Sequence, residues 1–137
     1  MDRFELDEPS PADIQFLDDR LYEFNVEATR IADGRLLGVF LRDERDQIVA
    51  AATGHTWGEV CELRQVWIAE PQRGNGLGRR LIAAAETEAV ARGCKRVILM
   101  THSFQAPGFY RKLGFDVIAE LPDYPRGHSQ FWLRKRL

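Results

Sequence analysis

A glycine-rich junction between a strand and a helix constrains this chain more than any other feature. Residues 69–81 read AEPQRGNGLGRRL, with glycines at positions 74, 76 and 78. The junction follows a run that predicts a strand over residues 59–68, and it precedes apolar residues at helical spacing up to about residue 92. Glycine loses more backbone freedom on folding than any other residue, so three of them indicate unusual dihedral angles or close approach of the backbone to another group.

The same junction predicts a site for a diphosphate. A helix N-terminus leaves several N–H groups without intrahelical partners and favours anions, and nearby arginines add charge-assisted hydrogen bonds. Two common nucleotide-binding loops do not fit. A Walker A loop needs Lys-Ser or Lys-Thr after its glycines, and a Rossmann loop needs a third glycine where Arg79 stands. The alternative is a glycine-rich turn that binds no ligand.

The remaining patterns predict a mixed sheet with helices. Ser10, Pro11 and Asp13 form the signature of a capped helix start, and the spacing predicts a helix over residues 11–27. Strands are predicted over residues 36–42, 47–56, 59–68, 96–100, 115–121 and 129–134, and a short helix over 106–113. The run over 96–100 is apolar throughout, as in a strand covered on both faces. We therefore expect the α/β (α+β) class, with a mixed, mostly antiparallel sheet flanked by helices, in a single domain spanning residues 1–137.

Composition argues against several functions. The formal net charge of the 137 residues is -2, which does not favour nucleic acid or an anionic membrane as a partner. Cys61 and Cys94 are not in a metal-binding spacing, so we expect no metal. No apolar run approaches the ~18 residues of a membrane span, and the acidic N-terminus does not resemble a signal peptide. These features predict a cytoplasmic protein.

Two motifs resemble one known family. Residues 73–78, RGNGLG, match the R/Q-x-x-G-x-G/A signature of the GNAT superfamily of N-acetyltransferases. Residues 106–115, APGFYRKLGF, resemble its second signature, A-x-x-x-Y-x-K-L-G-F, and stand one helix and one strand later, as in the family. The resemblance covers essentially the whole chain, and its last third resembles small bacterial members. It implies the acyl-CoA N-acyltransferase fold and an enzyme that uses acetyl-CoA as its acetyl donor.

The resemblance also implies which residues contact acetyl-CoA. The loop amides hold the pyrophosphate, and the strand before the loop holds the thioester and the pantetheine arm. Many members carry Asn seven residues before the motif tyrosine, and here that residue is Ser103, so Ser103 and Gln105 are expected contacts of the arm. The full set of expected cofactor-binding residues is Val66, Trp67, Ile68, Arg73, Gly74, Asn75, Gly76, Leu77, Gly78, Arg79, Ser103, Gln105 and Phe109.

Acetyl transfer to an amine also needs a proton acceptor, because a free alkylamine is almost wholly protonated at pH 7. The resemblance implies Glu62, and period-two alternation predicts that Glu62, Arg64, Val66 and Ile68 share one face of their strand. An ion pair with Arg64 is the alternative role for Glu62. Imidazoles titrate near neutral pH, so three histidines compete as the base: His55, His102 and His128.

The motif tyrosine is the expected proton donor. Tyr110 matches the residue that protonates the leaving coenzyme A thiolate in the family, and a phenol keeps its proton at pH 7. Core packing beside Phe109 is its alternative role. We therefore predict an N-acetyltransferase that moves acetyl from acetyl-CoA to a primary amine of a small molecule in a direct ternary complex. The alternative is a non-catalytic module that senses acyl-CoA. Homodimers are common in the family, so the resemblance implies that a homodimer is one of the expected assemblies.

Overall fold

The computed structural model describes residues 3–137, which form helices and strands in the predicted order. The helices are α1 (Pro11–Thr29), α2 (Leu77–Ala91) and α3 (Pro107–Lys112). The strands are β1 (Arg35–Arg42), β2 (Ile48–Trp57), β3 (Val60–Ile68), β4 (Arg96–His102), β5 (Asp116–Pro122) and β6 (Ser129–Arg136). A short 3-10 turn, Glu70–Gln72, was not predicted. The chain divides into two compact units, one ending at Ala32 and the other beginning at Asp33, and the single domain stays a prediction.

Helix α1 begins as its sequence predicts. The Ser10 hydroxyl accepts a hydrogen bond from the Asp13 N–H at 3.1 Å, and the Asp13 carboxylate accepts one from the Ser10 N–H at 2.9 Å. This reciprocal pair satisfies two N–H groups that the first turn would leave unpaired. The helix ends at Thr29, two residues beyond the predicted end, and its cap residue Arg30 has a left-handed φ of 63°.

The second unit is built on one six-stranded sheet. Its strand order is β1-β2-β3-β4-β6-β5, in which β3 and β4 are parallel and every other pair is antiparallel. Gly58 and Glu59 form the turn between β2 and β3. Their φ values of 57° and 71° are those of a type I′ turn, whose twist matches that of the flanking strands. The predicted mixed, mostly antiparallel sheet is confirmed.

The core lies on one face of this sheet. Ile82 and Ala85 of α2 and Tyr110 of α3 pack with Val97 and Leu99 of β4 in a single apolar cluster. The opposite face of β4 is more open, and its Met100 side chain is 38% exposed. The prediction that β4 is covered on both faces is therefore wrong. The two helices of this unit, α2 and α3, both contribute to the one cluster beside Val97 and Leu99, so they cover the same side of the strand.

Arg92 fastens the end of α2 to the first two strands. Its Nε donates to the Glu88 carboxylate at 2.8 Å, and one terminal nitrogen donates to the Leu36 carbonyl at 3.0 Å and to the Thr56 hydroxyl at 3.1 Å. The role of Glu88, which lies beside the apolar stripe of the helix, is to accept the hydrogen bond from Arg92. The C-terminal end of α2 is thereby held against β1 and β2.

Candidate active-site cleft

A cleft opens where β3 and β4 separate. The two strands pair from Val60–Arg96 to Leu63–Leu99, and beyond that point they diverge. A cavity of about 1050 Å³ lies between the diverging ends and reaches the glycine loop and α3. The β3 edge that faces this cavity, from Arg64 to Ile68, has no strand paired to it among residues 3–137. Its main-chain polar groups are therefore available to a ligand that lies along the strand.

A β-bulge at Arg64 redirects the side chains of β3. Gly54 pairs with Leu63 and Thr53 pairs with Gln65, so Arg64 is an extra residue without a partner on β2. An extra residue shifts the alternation by one, so residues before and after it change faces. Glu62 consequently shares a face with Gln65 and Trp67, not with Val66 and Ile68. The prediction that Glu62, Val66 and Ile68 share one face is wrong for this reason.

Gly54 makes the bulge sterically feasible. A Cβ placed on Gly54 would lie 1.8 Å from the Glu62 carbonyl oxygen and 2.9 Å from the Leu63 Cα. The backbone of β3 therefore occupies the space that a side chain would need. An isolated glycine within a strand pattern is a signal for a bulge or a close backbone approach, so Gly54 was the feature of the sequence that could have revealed it.

Two of the loop glycines have left-handed backbone angles. Gly74 and Gly76 have φ of 83° and 72°, and neither would place a Cβ near another group. They turn the chain from β3 into α2, whose cap residue Gly76 supplies no side-chain hydrogen bond. Arg73 secures the start of the loop by donating from Nε to the Ile68 carbonyl at 2.9 Å. The first-turn N–H groups of α2, without a side-chain cap, border the cleft at the Leu77–Arg79 segment.

The third glycine serves packing. A Cβ on Gly78 would lie 3.0 Å from the Phe109 ring and 3.3 Å from the Ile68 Cδ1. A larger side chain would press α2 away from α3 and β3. Gly78 therefore sets the distance between the glycine loop and the ring of Phe109, which also lines the cleft.

Tyr110 combines core packing with a place in the cleft wall. It is 7% exposed, and its ring makes edge contacts with Phe109 and Phe115 at centroid distances of 5.1 and 5.7 Å. Burial raises the pKa of its hydroxyl above the usual value, because the charged phenolate is poorly solvated there. No hydrogen bond joins that hydroxyl to another residue within the described range 3–137. The structure thus holds a protonated phenol at the edge of the cavity, with its donor hydrogen unused.

Glu62 precedes Leu63, where β3 and β4 begin to diverge, and it is absent from the cleft lining. Its carboxylate is 3.6 Å from the Arg64 Nε and 3.9 Å from the His55 Nδ1. Burial and, to a smaller extent, the Arg64 guanidinium lower the pKa of His55, while Glu62 opposes them. Glu62 therefore has the ion pair with Arg64 that was its alternative role, and it lies one strand position from the residues that border the cavity.

A ring cluster flanks the cleft where β4 ends. The His102 ring stacks on Phe104 at 5.3 Å and meets the edge of Tyr124 at 5.3 Å, and Phe104 contacts His128 at 5.1 Å. Ser103, the residue in place of the family's Asn, exchanges two hydrogen bonds with the Ser129 main chain, at 2.8 and 3.0 Å. Ser103 therefore ties the segment after β4 to the start of β6.

Comparison with known proteins identifies the family. A model of the acetyltransferase (GNAT) family matches residues 2–115. The chain belongs to the GNAT acetyltransferase family. It is 36% identical over 113 residues to the blasticidin-S acetyltransferase of Streptomyces morookaense, and the match covers 80% of this chain and 83% of that protein. The predicted acyltransferase and the predicted GNAT fold are confirmed.

Two solved structures illustrate the fold. An acetyltransferase structure from Agrobacterium tumefaciens has a TM-score of 0.89 and 28% identity, with full coverage of both chains. An aminoglycoside 6′-N-acetyltransferase, solved with coenzyme A, has a TM-score of 0.64 and 20% identity, and the match covers 97% of this chain and 95% of that one. At that identity, the second likeness concerns the fold alone.

The cleft of this GNAT protein gathers most of the predicted cofactor-binding residues. The predicted residues that line it are Val66, Trp67, Ile68, Arg73, Gly74, Gly76, Leu77, Gly78, Arg79, His102, Gln105, Phe109 and Tyr110. Asn75, Ser103 and Glu62 lie outside the lining. Lining residues that sequence reasoning did not select are Leu63, Arg64, Gln65, Gln72, Leu99, Met100, Thr101, Phe104 and Ala106.

Residues 3–137 contain no cluster of three or more His, Cys, Asp or Glu side chains with the geometry to hold a metal ion. None of their helices is both long enough and apolar enough to span a bilayer.

Proposed function

We propose that this GNAT protein transfers the acetyl group of acetyl-CoA to a primary amine of a small molecule, in a direct ternary complex. The observation that carries the proposal is the cleft between β3 and β4. One end meets the left-handed glycine loop and the uncapped start of α2, its floor is an unpaired strand edge, and its wall contains Tyr110.

The loop suits the diphosphate of acetyl-CoA. Gly74 and Gly76 leave open space where side chains would stand, so main-chain N–H groups can approach phosphate oxygens closely. Arg79, in the first turn of α2, is exposed and lines the cleft, and it would add a charge-assisted hydrogen bond. The Arg73 Nε donates to the Ile68 carbonyl, so we assign this side chain the role of stabilising the loop conformation.

The unpaired edge of β3 suits the thioester arm. Main-chain groups of Val66, Trp67 and Ile68 would pair with the amides of the pantetheine arm, as a neighbouring strand would. A main-chain N–H near the bulge would donate to the acetyl carbonyl and stabilise the charge that develops on its oxygen. Tyr110 would donate its proton to the departing sulfur, because burial keeps the phenol neutral.

A small acceptor is supported by the relative whose name states an antibiotic substrate, blasticidin S. The resemblance assigns proton removal to Glu62, which lies outside the cleft lining. A homodimer and a cytoplasmic location stay predictions.

Binding is the first test of this proposal. Acetyl-CoA at about 100 times its Kd should stabilise the fold by about 2.7 kcal/mol, or about 10 °C in Tm for a protein of this size. ATP and NAD are the controls, and an equal shift with either would reject the coenzyme A site. Gly76→Val should abolish most of the shift because a β-branched residue disfavours a φ of 72°.

Turnover is the second test. Coenzyme A release is measured with blasticidin S first and then with a panel of primary amines, and Tyr110→Phe should lower kcat by about 100-fold with little change in acetyl-CoA affinity. An unchanged kcat would remove Tyr110 as the proton donor. Saturable acetyl-CoA binding without transfer to any amine would favour the non-catalytic sensing module.

A further inference from the structure

We infer that His102 is the catalytic residue that accepts the proton of the acceptor amine, an assignment that rests on the proposed acetyl transfer. The geometry holds its ring in the tautomer with the proton on Nδ1 and a free lone pair on Nε2. Gln105 is the positioning residue that fixes this tautomer.

Few of the residues that line the cleft could accept a proton from the amine. The titratable residues among them are Arg64, Arg73, Arg79, His102 and Tyr110. Arginine stays protonated in proteins, and burial keeps the Tyr110 phenol neutral, so neither residue type can accept a proton near pH 7. His102 is the histidine within residues 3–137 that lines the cleft, whereas the other two and Glu62 lie outside it. His102 is therefore the lining residue with the right chemistry.

The hydrogen-bond partners of the Gln105 Oε1 determine the tautomer of the His102 ring. The Gln105 Oε1 accepts a hydrogen bond from the His102 main-chain N–H at 2.7 Å. A main-chain N–H can only donate, so the atom facing it must be the amide oxygen and not the amide nitrogen. The same oxygen lies 3.2 Å from the His102 Nδ1 and 3.3 Å from the Thr101 hydroxyl. Because an amide oxygen only accepts, Nδ1 must carry a hydrogen.

The other ring nitrogen is then the acceptor. In a neutral imidazole one nitrogen donates and the other accepts, so a proton on Nδ1 leaves the lone pair on Nε2. The His102 Nε2 is buried and has no hydrogen-bond partner within residues 3–137. An unsatisfied buried acceptor is costly and calls for an explanation. A substrate N–H that occupies this position during turnover supplies one.

The surroundings of the ring allow such an approach. Phe104 and Tyr124, which contact the ring, are 56% and 49% exposed, so both rings have room to move when a substrate binds. Tyr124 is the titratable group in direct ring contact, and His128 lies behind Phe104. No ion pair within the described residues 3–137 includes His102.

The proton balance of the step is complete. The acceptor ammonium first releases one proton to water, and the neutral amine nitrogen then forms a bond to the thioester carbon while the carbon–sulfur bond breaks. The sulfur leaves with that electron pair and takes the proton of Tyr110, and Nε2 of His102 takes a proton from the amine. One proton then moves from His102 through water to the Tyr110 phenolate, which restores both residues.

The test compares His102→Asn with the matched variant His128→Asn, which alters a histidine of the same ring cluster outside the lining. The Asn side-chain NH₂ can still donate to Gln105, so the local hydrogen bonding is retained while the base is lost. We expect kcat to fall about 100-fold in His102→Asn and to lose its decline toward acidic pH, with the acetyl-CoA thermal shift unchanged. His128→Asn should keep the wild-type kcat and pH profile.

Three results would overturn the inference or separate it from the proposed function. A wild-type kcat and pH profile in His102→Asn, with turnover lost in Glu62→Gln, would assign the proton to Glu62. Nitrogen-15 NMR of labelled histidine reports the tautomer without any acceptor, and a proton on Nε2 would overturn the inference even if no amine is acetylated. Wild-type protein that binds acetyl-CoA but acetylates no amine would reject the proposed function, and His102 with it.

Discussion

Gly54→Ala is the substitution that should most directly disturb β3. The new Cβ would lie 1.8 Å from the Glu62 carbonyl oxygen, where ordinary contact needs about 3.5 Å. The two strands would have to separate locally by about 1.7 Å, and the atoms in the way are main chain, which cannot rotate aside. The bulge and the ladder hydrogen bonds beside it would be lost together.

The expected cost combines two effects. Forcing a methyl group into packed structure costs about 1–3 kcal/mol, and each lost backbone hydrogen bond adds about 1 kcal/mol. A smaller opposing effect, about 0.4–1 kcal/mol, comes from the stiffer unfolded chain. We expect the free energy of unfolding to fall by about 3 kcal/mol and the Tm by about 12 °C. Turnover should fall as well, because the bulge sets the positions of Glu62 and Arg64.

Gly38→Ala is the matched control, since Gly38 lies in the adjacent strand and pairs with Thr53. Its Cβ would meet the Phe40 ring, 2.6 Å away, but that side chain is 48% exposed and can rotate. We expect a change below about 1 kcal/mol. Urea unfolding at 15 °C and calorimetric Tm would measure both variants. A Gly54→Ala protein within about 2 °C of wild type, or a Gly38→Ala protein equally destabilised, would refute the close-approach argument.

Three further predictions follow from buried groups. Burial raises the pKa of Tyr110, so kcat should show no decline from loss of its proton between pH 8 and 10, and a decline in the wild type that Tyr110→Phe lacks would contradict this. Burial raises the pKa of Cys61 to about 11, so about one thiol in a thousand is ionised at pH 8; thiol reagents should label it slowly in the folded protein and quickly in urea. Arg92→Lys should lower the free energy of unfolding by about 2 kcal/mol in urea titrations, because one ammonium cannot serve Glu88 and both β-strand acceptors. The exposed Arg96→Lys should change it by less than about 0.5 kcal/mol.

The elements of the fold were predictable because their signals are local. The capping box at Ser10 and Asp13, the turn at Gly58 and the glycines before α2 each specify a conformation within a few residues. The bulge at Arg64 was not predicted, because it depends on the register between two strands and on main-chain atoms that approach Gly54 from across the sheet. The exposed face of β4 was missed for a similar reason, since an apolar run does not tell which side the helices will cover.

The contrast between local signals and contacts across the sheet also distinguishes the two parts of the candidate site, which are the cofactor-binding part and the proton acceptor. The proposed binding of a diphosphate and of a thioester arm depends on main-chain groups, and the sequence encodes their placement through glycine angles and through the end of a strand pair. The proton acceptor depends on a side chain, and a single inserted residue moves Glu62 to the face opposite Val66. His102 comes to the cleft from another strand, and its tautomer is set three residues later by Gln105. A motif that locates the bound cofactor therefore need not locate the base, and for that reason the two should be tested by separate variants.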